Sequence, residues 1–444
     1  MTKDIKNKPS KELPLGFVDR QEKELLIRDF IISNIKEIMV RYGFQYLETP
    51  SFEYTDSIGK FLPDKDRPDE GVFSFQDETK WLSLRYDLTA PLARYVAKNY
   101  LEIPKPFKRY QLGTVWRNEK PGPGRFREFL QFDADFVGTK SLQADAELCV
   151  MISEILEKCG LEKEEYVIKI SSRKITEDLF KKINLDDKEK KLTVLRALDK
   201  IDRLGWDGVK QLLGEGRKDK SGDFTKGAEL NKSNIEVIEK ELKKKSPEGD
   251  DLLEIFKILK DYNFSNFEFD PSIIRGLEYY TGPIFEVNLK FDVKNNKGQV
   301  IQFGSIGGGG RYDNLVNNFG NYDAPATGIS IGLDRLVYAL MQKKEFKIKQ
   351  SKPVVICVFN KNLMKEYINL QTILRDSGIS AEIYPGESKL KKQMEYANKI
   401  KAPAVILYGE NEIKIGKPTL KNLITGKEKS ISIKELSNEI EKII

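Results

Sequence analysis

The sequence predicts a mixed α/β protein of several domains, and three observations support this fold class. Its 444 residues exceed the ~100–200 residues of a typical single domain. Strand-like alternation of apolar and polar residues covers 107–138, on both sides of a Gly- and Pro-rich turn at 120–125. Residues beyond 352 alternate strand and helix patterns, which indicates a separate small α/β domain with a parallel sheet.

The first predicted element is a long amphipathic helix. Between Gln21 and Tyr42, apolar side chains recur at helical spacing, so one face of this helix should be buried. A short strand follows it and ends at Thr49-Pro50, because the residue before proline disfavours helix and the proline ends regular pairing. The helix therefore leads directly into the first strand of the fold.

The strand after the turn separates an apolar face from a polar face. Successive side chains of a strand point to opposite sides of the sheet, so residues two apart share a face. The two faces are Leu130, Phe132, Ala134 and Phe136 on one side, and Arg127, Gln131, Asp133 and Asp135 on the other. The first face predicts a core contact, whereas the second needs a ligand, partner side chains or water.

An inserted helical region precedes the remaining strands. Residues 173–265 are rich in Lys, Glu and Asp, favour helices, and contain GEGRKDKSGDF, which predicts an exposed loop. Strand patterns return at 283–290 and 298–306, and the glycine run Gly307–Gly310 follows them. Residues 343–352 predict a linker. The resulting domain boundaries are 1–172, 173–265, 266–342 and 343–444.

The composition limits the possible chemistry. The sequence contains no histidine, which excludes imidazole bases, imidazole metal ligands and histidine pH switches. Cys149, Cys159 and Cys357 lack C-x-x-C spacing, so they indicate neither a zinc site nor a disulfide scaffold. The polar N-terminus and the absence of a run of about 18 apolar residues predict a cytoplasmic protein, neither secreted nor membrane-spanning.

The positive charge is concentrated towards the C-terminus. The chain has 75 Lys and Arg against 69 Asp and Glu, a formal charge of +6. Residues 351–444 hold 16 Lys and Arg against 11 Asp and Glu, a difference of +5. This distribution fits a polyanionic partner, although a lysine-rich solvated surface explains the charge equally well.

Arginines beside turns and strands are the main candidates for an anion site. The planar guanidinium pairs bidentately with oxyanions, and neighbouring glycines permit close approach. A surface ion pair is the alternative for any isolated arginine. The glycine run is not a P-loop, because no G-K-[ST] follows it. The candidates are Arg117, Arg125, Arg275, Arg311 and Arg335.

Three segments, in the right order, resemble the motifs of class II aminoacyl-tRNA synthetases. GFQYLETPSFE at 43–53 resembles motif 1, RNEKPGPGRFREFLQFDAD at 117–135 resembles motif 2, and GISIGLDRL at 328–336 resembles motif 3. RGLEYYTG at 275–282 and GGGRYDNL at 308–315 resemble the two signatures of the histidyl-tRNA synthetase family. The resemblance covers nearly the whole chain and implies an antiparallel-sheet catalytic core, a helical insertion and a C-terminal α/β anticodon-binding domain.

The resemblance also implies roles for individual residues. It identifies Arg275 and Arg117 as catalytic. The implied histidine-binding residues are Asp87, Thr89, Arg117, Gln131, Asp135, Arg275, Tyr279 and Tyr280. The implied ATP-binding residues are Arg117, Glu119, Arg125, Phe129 and Arg335. The alternatives are a helix cap for Asp87, a core position for Phe129, and an ion pair with a neighbouring arginine for Asp135; no metal ligand is identified.

The activity implied by the resemblance is the ligation of L-histidine to tRNA(His). The histidine carboxylate attacks the α-phosphorus of ATP, which requires alignment and charge stabilisation rather than a protein base. Arg117, Arg275 and Mg²⁺ would hold the developing charge, and the terminal ribose of the tRNA would then attack the adenylate. The expected partners are L-histidine, ATP, tRNA(His) and a second copy of the chain in a homodimer.

Some features of the sequence leave alternatives open. Bacterial members of the family commonly carry Arg-Pro-Gln in the motif 2 turn, where this chain has KPGP at 120–123, so recognition of the tRNA acceptor end is not predicted. One alternative is the regulatory subunit of ATP phosphoribosyltransferase, which shares the catalytic fold but typically lacks the C-terminal domain. A second alternative is a catalytically inert module that senses uncharged tRNA, and such modules are fused to a kinase. Two explanations of the absence of histidine are equally good. A chain without histidine can still be translated during histidine starvation, and compositional drift can remove the residue without selection.

Overall fold

The computed structural model describes residues 10–59, 71–219, 222–274, 279–295, 297–301, 303–343, 351–386 and 388–444. The chain divides into two units, Met1–Lys347 and Ile348–Ile444, here called the N-terminal and C-terminal units. The division between them falls in the segment predicted as a linker. The finer boundaries at 172 and 265 stay predictions.

The elements of the N-terminal unit carry the following labels. The helices are α1 (Glu22–Arg41), α2 (Thr55–Gly59), α3 (Thr89–Lys98), α4 (Leu142–Lys158), α5 (Arg173–Lys182), α6 (Lys188–Leu198), α7 (Ile201–Leu213), α8 (Lys232–Leu242), α9 (Asp250–Asp261) and α10 (Leu333–Gln342). The strands are β1 (Gln45–Tyr46), β2 (Phe52–Tyr54), β3 (Ser74–Asp77), β4 (Lys80–Leu84), β5 (Phe107–Trp116), β6 (Glu128–Val137), β7 (Tyr166–Ser172), β8 (Gly216–Lys218), β9 (Phe224–Lys226), β10 (Phe267–Phe269), β11 (Pro283–Leu289), β12 (Val293–Lys294), β13 (Val300–Ile301), β14 (Ser305–Arg311) and β15 (Ala326–Gly332).

A large, mainly antiparallel sheet organises the N-terminal unit. Its strand order is β1-β5-β6-β15-β14-β11-β7-β10, and only the outer pairs β1 with β5 and β7 with β10 are parallel. The predicted hairpin is confirmed, since β5 and β6 pair antiparallel along their full lengths. At its turn, the backbones of Gly122 and Arg125 exchange two hydrogen bonds of 3.0 and 2.8 Å. The antiparallel core that the sequence resemblance implied is therefore present.

The predicted N-terminal helix is confirmed as α1. Its side chains at Ile27, Ile31, Ile35 and Ile38 are fully buried, as the helical spacing predicts, and the helix packs on α4 and α10. Among the described helices, none combines the length and apolar character that crossing a membrane requires.

The segment predicted as a helical insertion is largely helical. Helices α5 to α8 share a hydrophobic core that includes Leu179, Phe180, Val194, Leu195 and Val209. The loop predicted inside this segment is partly wrong, because β8 and β9 pair there as a short antiparallel hairpin. The segment RKxxxGDFTK at 217–226 is mostly polar and charged, so it shows no alternation of apolar and polar residues that would distinguish a strand from a loop.

The glycine run lies within a strand rather than after one. The strand predicted at 298–306 is partly confirmed, because the described residues of this segment include the short strand β13 and the start of β14. The glycine run was misplaced, because β14 runs through all four glycines. A Cβ atom on Gly309 would overlap the backbone oxygen of Gly328 on β15. Close packing of the two backbones therefore requires glycine, although glycine is disfavoured in strands.

The C-terminal unit is a second α/β sheet. Its elements are α11 (Met364–Asp376), α12 (Leu390–Lys399), α13 (Glu410–Ile415), α14 (Ile433–Glu441), β16 (Val354–Cys357), β17 (Ala381–Ile383), β18 (Ala404–Leu407), β19 (Thr419–Asn422) and β20 (Glu428–Ser430). The strand order is β17-β16-β18-β19-β20. The predicted parallel sheet is confirmed for β16, β17 and β18, but β19 and β20 extend it as antiparallel strands.

We predict that Gly309→Ala destabilises the N-terminal unit. The added methyl group must displace the Gly328 backbone, and overpacking of this kind lowers the free energy of unfolding by roughly 1–3 kcal/mol. Gly122→Ala is the matched control, because nothing lies within 4 Å of a Cβ atom at that position. Urea denaturation of the two variants measures the difference. Equal stability of both variants would show that β14 can shift to accept a side chain.

Candidate active site

The polar face of β6 forms the floor of a buried polar cluster. Gln131, Asp133 and Asp135 are only 5%, 2% and 2% exposed, although all three side chains are polar. On the adjacent strand β5, Gln111 pairs with Asp133 and Arg109 pairs with Asp135 in the antiparallel register. The prediction that this face needs partners is confirmed, and part of that need is met by side chains of the neighbouring strand.

Asp135 has a partner for each carboxylate oxygen. Arg109 Nη1 donates to Oδ2 at 3.0 Å, and the Tyr312 hydroxyl donates to Oδ1 at 2.5 Å. Burial raises the pKa of Asp135, while Arg109 and the Tyr312 hydroxyl oppose that rise. The ion pair with a neighbouring arginine is therefore present. The imidazole contact implied for this residue stays a prediction, and a carboxylate has acceptor capacity for a further donor.

Gln131 links the two sets of predicted binding residues. Its Oε1 accepts a hydrogen bond from Arg117 Nη2 at 3.2 Å, and its Nε2 donates to Asp133 Oδ1 at 2.8 Å. The second oxygen of Asp133 accepts from the Thr89 hydroxyl at 3.3 Å. The Asp133 carboxylate thus links Thr89 to Gln131, and Gln131 contacts Arg117. The sequence analysis left Asp133 without a role.

Asp87 lies at the start of α3. Its Oδ1 accepts from the backbone N–H of Ala90 at 3.0 Å, so it caps this helix. Burial raises the pKa of Asp87, and the hydrogen bond from Ala90 and the charge of Arg117 act against this rise. The helix-cap alternative is therefore correct for one oxygen, and contact with a substrate amino group stays a prediction.

Two adjacent tyrosines lie near this acidic cluster. The rings of Tyr279 and Tyr280 are 4.6 Å apart, and Tyr279 meets Tyr312 edge-on at 6.2 Å. Burial raises the pKa of the Tyr279 hydroxyl, and the charges of Asp87 and Asp133 raise it further. The predicted catalytic residue Arg275 lies outside the described residues.

A cavity of about 220 Å³ brings the predicted ATP-binding residues together. Its lining includes Arg117, Glu119, Arg125, Phe129 and Arg335, together with Gln131. The guanidinium of Arg117 lies over the rings of Tyr86 and Phe129, with centroids 4.5 and 5.1 Å away. Phe129 is half-buried at the cavity wall, so it does not occupy the core position that was its alternative. The Tyr86 hydroxyl donates to Glu119 Oε1 at 2.6 Å.

Two guanidinium groups converge on one side of this cavity. A Cβ atom built on Gly304 would lie 3.7 Å from Arg335 Nη2 and 4.0 Å from Arg125 Nη2. Arg335 also donates to the backbone oxygen of Phe303 and lies 4.3 Å from the centroid of its ring. Two cations near the same point suit a polyphosphate.

Arg311 does not belong to this anion site. It is buried and pairs with Asp145, and it donates to the backbone oxygens of Thr139 and Ser141 at 2.9 and 3.0 Å. The expectation of an oxyanion-binding role for Arg311 is therefore wrong. Its guanidinium stabilises the connection between β14 and the segment before α4.

Several residues of the site were missed by sequence analysis. They are Tyr86, Arg109, Asp133 and Tyr312. Arg109 could have been found, because it alternates with Gln111 on β5 in the same pattern that singled out the polar face of β6. Tyr312 lies in the GGGRYDNL segment at 308–315, but no local pattern indicates that its hydroxyl reaches a carboxylate 177 residues earlier in the chain.

Comparison with known protein families agrees with this geometry. A family model described as histidyl-tRNA synthetase matches residues 16–336, and a model described as anticodon binding domain matches residues 353–443. The chain belongs to the histidyl-tRNA synthetase family. The two matches lie within the N-terminal and C-terminal units, respectively.

Curated relatives extend the likeness over nearly the full chain. A histidine–tRNA ligase of Bartonella quintana (strain Toulouse) is 46% identical, with 96% of this chain and 92% of the relative covered. A histidine–tRNA ligase of Brucella suis biovar 1 (strain 1330) is 45% identical, with 97% and 92% covered.

Solved structures share the fold. A histidyl-tRNA synthetase from Nostoc sp. PCC 7120 matches with a TM-score of 0.73 and 25% identity, covering 98% of this chain and all of that one. A Bacillus halodurans structure described as an ATP phosphoribosyltransferase regulatory subunit/histidyl-tRNA synthetase matches at 0.65 and 22% identity, covering 88% and 97%. The second likeness shows the fold alone.

A buried ion pair joins the motif 2 and motif 3 segments of this histidyl-tRNA synthetase family member. Arg20, in the segment before α1, donates to Asp334 Oδ1 at 2.7 Å and to the backbone oxygen of Glu128 at 3.0 Å. Asp334 in turn accepts from the backbone N–H of Leu130 at 2.8 Å. Because Asp334 precedes Arg335, this contact fixes the start of α10 against β6.

We predict that Arg20→Ala lowers the free energy of unfolding by about 3 kcal/mol, because it leaves the Asp334 carboxylate buried without its cation. The two side chains of the pair are 16% and 8% exposed. Arg41→Ala is the matched control, since its pair with Glu154 has exposures of 51% and 35% and should contribute less than about 1 kcal/mol. Chemical denaturation compares the variants, and an Arg20 variant as stable as the control would contradict a bracing role.

Proposed function

We propose that this chain is a histidine–tRNA ligase, which activates L-histidine with ATP and transfers it to tRNA(His). The observation that carries the proposal is the position of Arg117. Its guanidinium lines the cavity of the predicted ATP residues and donates to Gln131, which belongs to the predicted amino-acid pocket. One cation therefore borders both places where the reacting groups must meet.

The activation step requires charge stabilisation at that junction. A carboxylate oxygen of histidine attacks the α-phosphorus of ATP, the bond to the β-phosphate oxygen breaks, and pyrophosphate leaves with the electron pair. The carboxylate is already ionised, so no protein base is needed, in agreement with a sequence that lacks histidine. In this proposal, Arg117 and Arg275 stabilise the negative charge that grows on the α-phosphoryl oxygens.

The remaining cavity residues have roles in holding ATP. Arg125 and Arg335 converge at Gly304 and would bind the outer phosphates. The half-buried ring of Phe129 offers a stacking surface to adenine, and Glu119, held by the Tyr86 hydroxyl, would accept from the adenine amino group. Holding ATP at several points aligns its α-phosphorus with the attacking carboxylate.

We propose that Mg²⁺ enters this cavity as the ATP complex. Within the described ranges, no group of three or more Cys, Asp or Glu side chains could hold a metal ion. Mg²⁺ normally keeps several waters and is bound largely through substrate phosphates, so this lining is compatible with it. Glu119, the acidic residue of the described lining, is assigned to the adenine amino group, so the ion would be held mainly through the substrate phosphates. When bound, the ion supplies further neutralisation of the phosphate charge.

Selection of histidine would rest on the buried polar groups beside Arg117. Asp87 and Thr89 would accept from the α-ammonium group, while Gln131, Asp135 and the two tyrosines would surround the imidazole. Buried polar groups left unpaired by an apolar competitor are costly, so the pocket discriminates against such amino acids.

The C-terminal unit would bind the tRNA. Its match to an anticodon-binding domain and its excess of basic residues support this role. The ribose hydroxyl at the 3′ end of the tRNA then attacks the carbonyl carbon of the adenylate, and AMP leaves. We place this reaction in the cytoplasm.

The regulatory subunit of ATP phosphoribosyltransferase is not better supported. Its support is the likeness to the Bacillus halodurans structure, at 22% identity. The relatives at 45–46% identity are named histidine–tRNA ligases, and the anticodon-binding match at 353–443 fits a ligase.

The proposed activity predicts ATP–pyrophosphate exchange that depends on L-histidine. Arg117→Ala and Arg275→Ala should each reduce the exchange rate by roughly 10²–10³-fold or more, because each removes a preorganised charge contact to the transition state. Arg41→Ala, on an exposed face of α1, should retain normal exchange.

Absence of histidine-dependent exchange in the unmodified chain would contradict ligase activity and favour the regulatory subunit. Near-normal exchange in Arg275→Ala alone would contradict only the role of that residue. Circular dichroism of each variant confirms that a lost rate does not reflect unfolding.

We also propose that the chain forms a homodimer through the small sheet β2-β4-β3. Phe52, Phe75 and Trp81 are 50%, 44% and 53% exposed, and the rings of Phe52 and Phe75 meet edge-on at 5.4 Å. Adjacent exposed aromatic side chains are uncommon on a surface that faces only water. β2 continues the motif 1 segment, which resembles the dimer element of class II synthetases, so a second copy is the partner that fits.

This proposal predicts a species of twice the 51.0 kDa chain mass in analytical ultracentrifugation at micromolar concentration. Trp81→Lys should shift the equilibrium towards monomer, because a two-fold interface receives the new charge twice. Phe224→Lys, at an exposed aromatic of the β8–β9 hairpin, is the control and should leave the dimer intact. A monomer in the unmodified chain would refute the proposal.

A further inference from the structure

Asp133 lies among the residues proposed to hold the amino acid, although the roles assigned above do not include it. Its carboxylate is 2% exposed and accepts one hydrogen bond on each oxygen, from Gln131 Nε2 at 2.8 Å and from the Thr89 hydroxyl at 3.3 Å. Both donors are residues expected to touch the substrate. The Asp133 carboxylate therefore contacts Gln131 and Thr89, which are the residues expected to contact the substrate.

These two hydrogen bonds fix the polarity of the groups that face the substrate. Because Gln131 uses Nε2 for Asp133, its Oε1 is left to accept from Arg117 at 3.2 Å. Because the Thr89 hydroxyl directs its hydrogen at Asp133, its lone pairs are left for a donor in the pocket. An ionised Asp133 thus makes Thr89 an acceptor and keeps the amide of Gln131 in one orientation.

The charges around Asp133 make its ionisation sensitive to a cation. Three side chains carry negative or positive charge on the elements packed against it: Asp135 on the same strand, Asp87 ahead of α3, and Arg109 on β5. Arg85 and the hydroxyls of Tyr279 and Tyr312 also interact with it. Burial and the neighbouring Asp135 raise the pKa of Asp133 to about 7. Burial and the neighbouring acids outweigh the guanidinium groups of Arg109 and Arg85, so an added positive charge stabilises the ionised state.

We propose that Asp133 is a positioning residue for the α-ammonium group of the substrate. It would hold the Thr89 hydroxyl in the orientation that accepts an ammonium donor, and it would add negative charge behind that hydroxyl. This inference rests on the proposed ligase function, because the substrate is taken to be histidine.

Asp133→Asn tests the inference with almost no change of side-chain volume. The amide has only one acceptor oxygen, so it keeps the 2.8 Å bond from Gln131 Nε2 and loses the longer 3.3 Å bond from the Thr89 hydroxyl, which must turn. We expect the KM for histidine in pyrophosphate exchange to rise roughly tenfold or more, which is the size of a lost hydrogen bond to a charged group. The KM for ATP and kcat should stay within about threefold, because the cavity that would hold ATP keeps its residues.

Two competitive inhibitors separate positioning from a general structural role. Histidinol keeps the ammonium and the imidazole of histidine, whereas 3-(imidazol-4-yl)propionate keeps the imidazole and lacks the ammonium. In Asp133→Asn, the inhibition constant of histidinol should rise roughly tenfold and that of imidazolylpropionate should not change. Equal weakening of both inhibitors, or of neither, would overturn the proposal.

The pH profile provides a second readout. Asp133 is protonated below its raised pKa and ionised above it, so kcat/KM for histidine in the unmodified chain should increase as the pH rises through about 7. The Asn variant cannot ionise and should lose this increase. Titration of the substrate imidazole contributes to both profiles equally, so the difference between the profiles isolates Asp133. Identical profiles would contradict the proposal.

Asp251→Asn is the matched control. Asp251 is also a buried carboxylate that accepts from a hydroxyl, Ser172 Oγ at 2.9 Å, and it does not line the amino-acid pocket or the ATP cavity. Its KM for histidine should not change. If Asp133→Asn does not fold, Asp133→Ser removes the carboxylate and gives the same comparison. Failure of the ligase function itself is distinct, since the unmodified chain would then show no histidine-dependent exchange.

Discussion

The buried ion pair between Arg109 and Asp135 constrains the whole amino-acid pocket. Three carboxylates, those of Asp87, Asp133 and Asp135, lie near one another where burial disfavours their charge. Arg109 is fully buried among them and also donates to the backbone oxygen of Leu88, just before α3. Arg109 thus offsets part of the negative charge, together with Arg85 and Arg117, and connects β5 to the helix that carries Thr89.

The Asp135 carboxylate of this pair also requires a glycine on the neighbouring strand β15. Gly328 on β15 lies opposite Asp135, and a Cβ atom there would overlap the Asp135 carboxylate. The glycines of β14 and β15 therefore allow close packing, and they do not form a phosphate-binding loop. The cavity beside β6 is lined by Gly307 and Gly308 of β14 and by Gly332 of β15, and its cations and polar groups define what can fill it. Arg117 lies where the cavity of the predicted ATP-binding residues meets the predicted amino-acid pocket.

Sequence reasoning predicted the parts of this fold that repeat locally. The helix α1, the β5–β6 hairpin and the two faces of β6 follow from residue spacing, and the same spacing assigns Gln131 and Asp135 to one polar face. Partners from distant segments, such as Tyr312, carry no local pattern. The glycine strand β14 was misplaced because strand propensity disfavours glycine, whereas close backbone packing requires it. The arginine interpretation failed at Arg311, since the sequence does not reveal that Asp145 neutralises it.

The contact between Arg20 and Asp334 spans 314 positions of the chain. Arg20, which lies before α1, is therefore paired only when α10, near the other end of the N-terminal unit, is in place. Until then, β6 lacks the brace that orders its first residues against Arg335. The cavity that Arg335 lines, and with it the proposed ATP site, therefore depends on segments from both ends of the N-terminal unit.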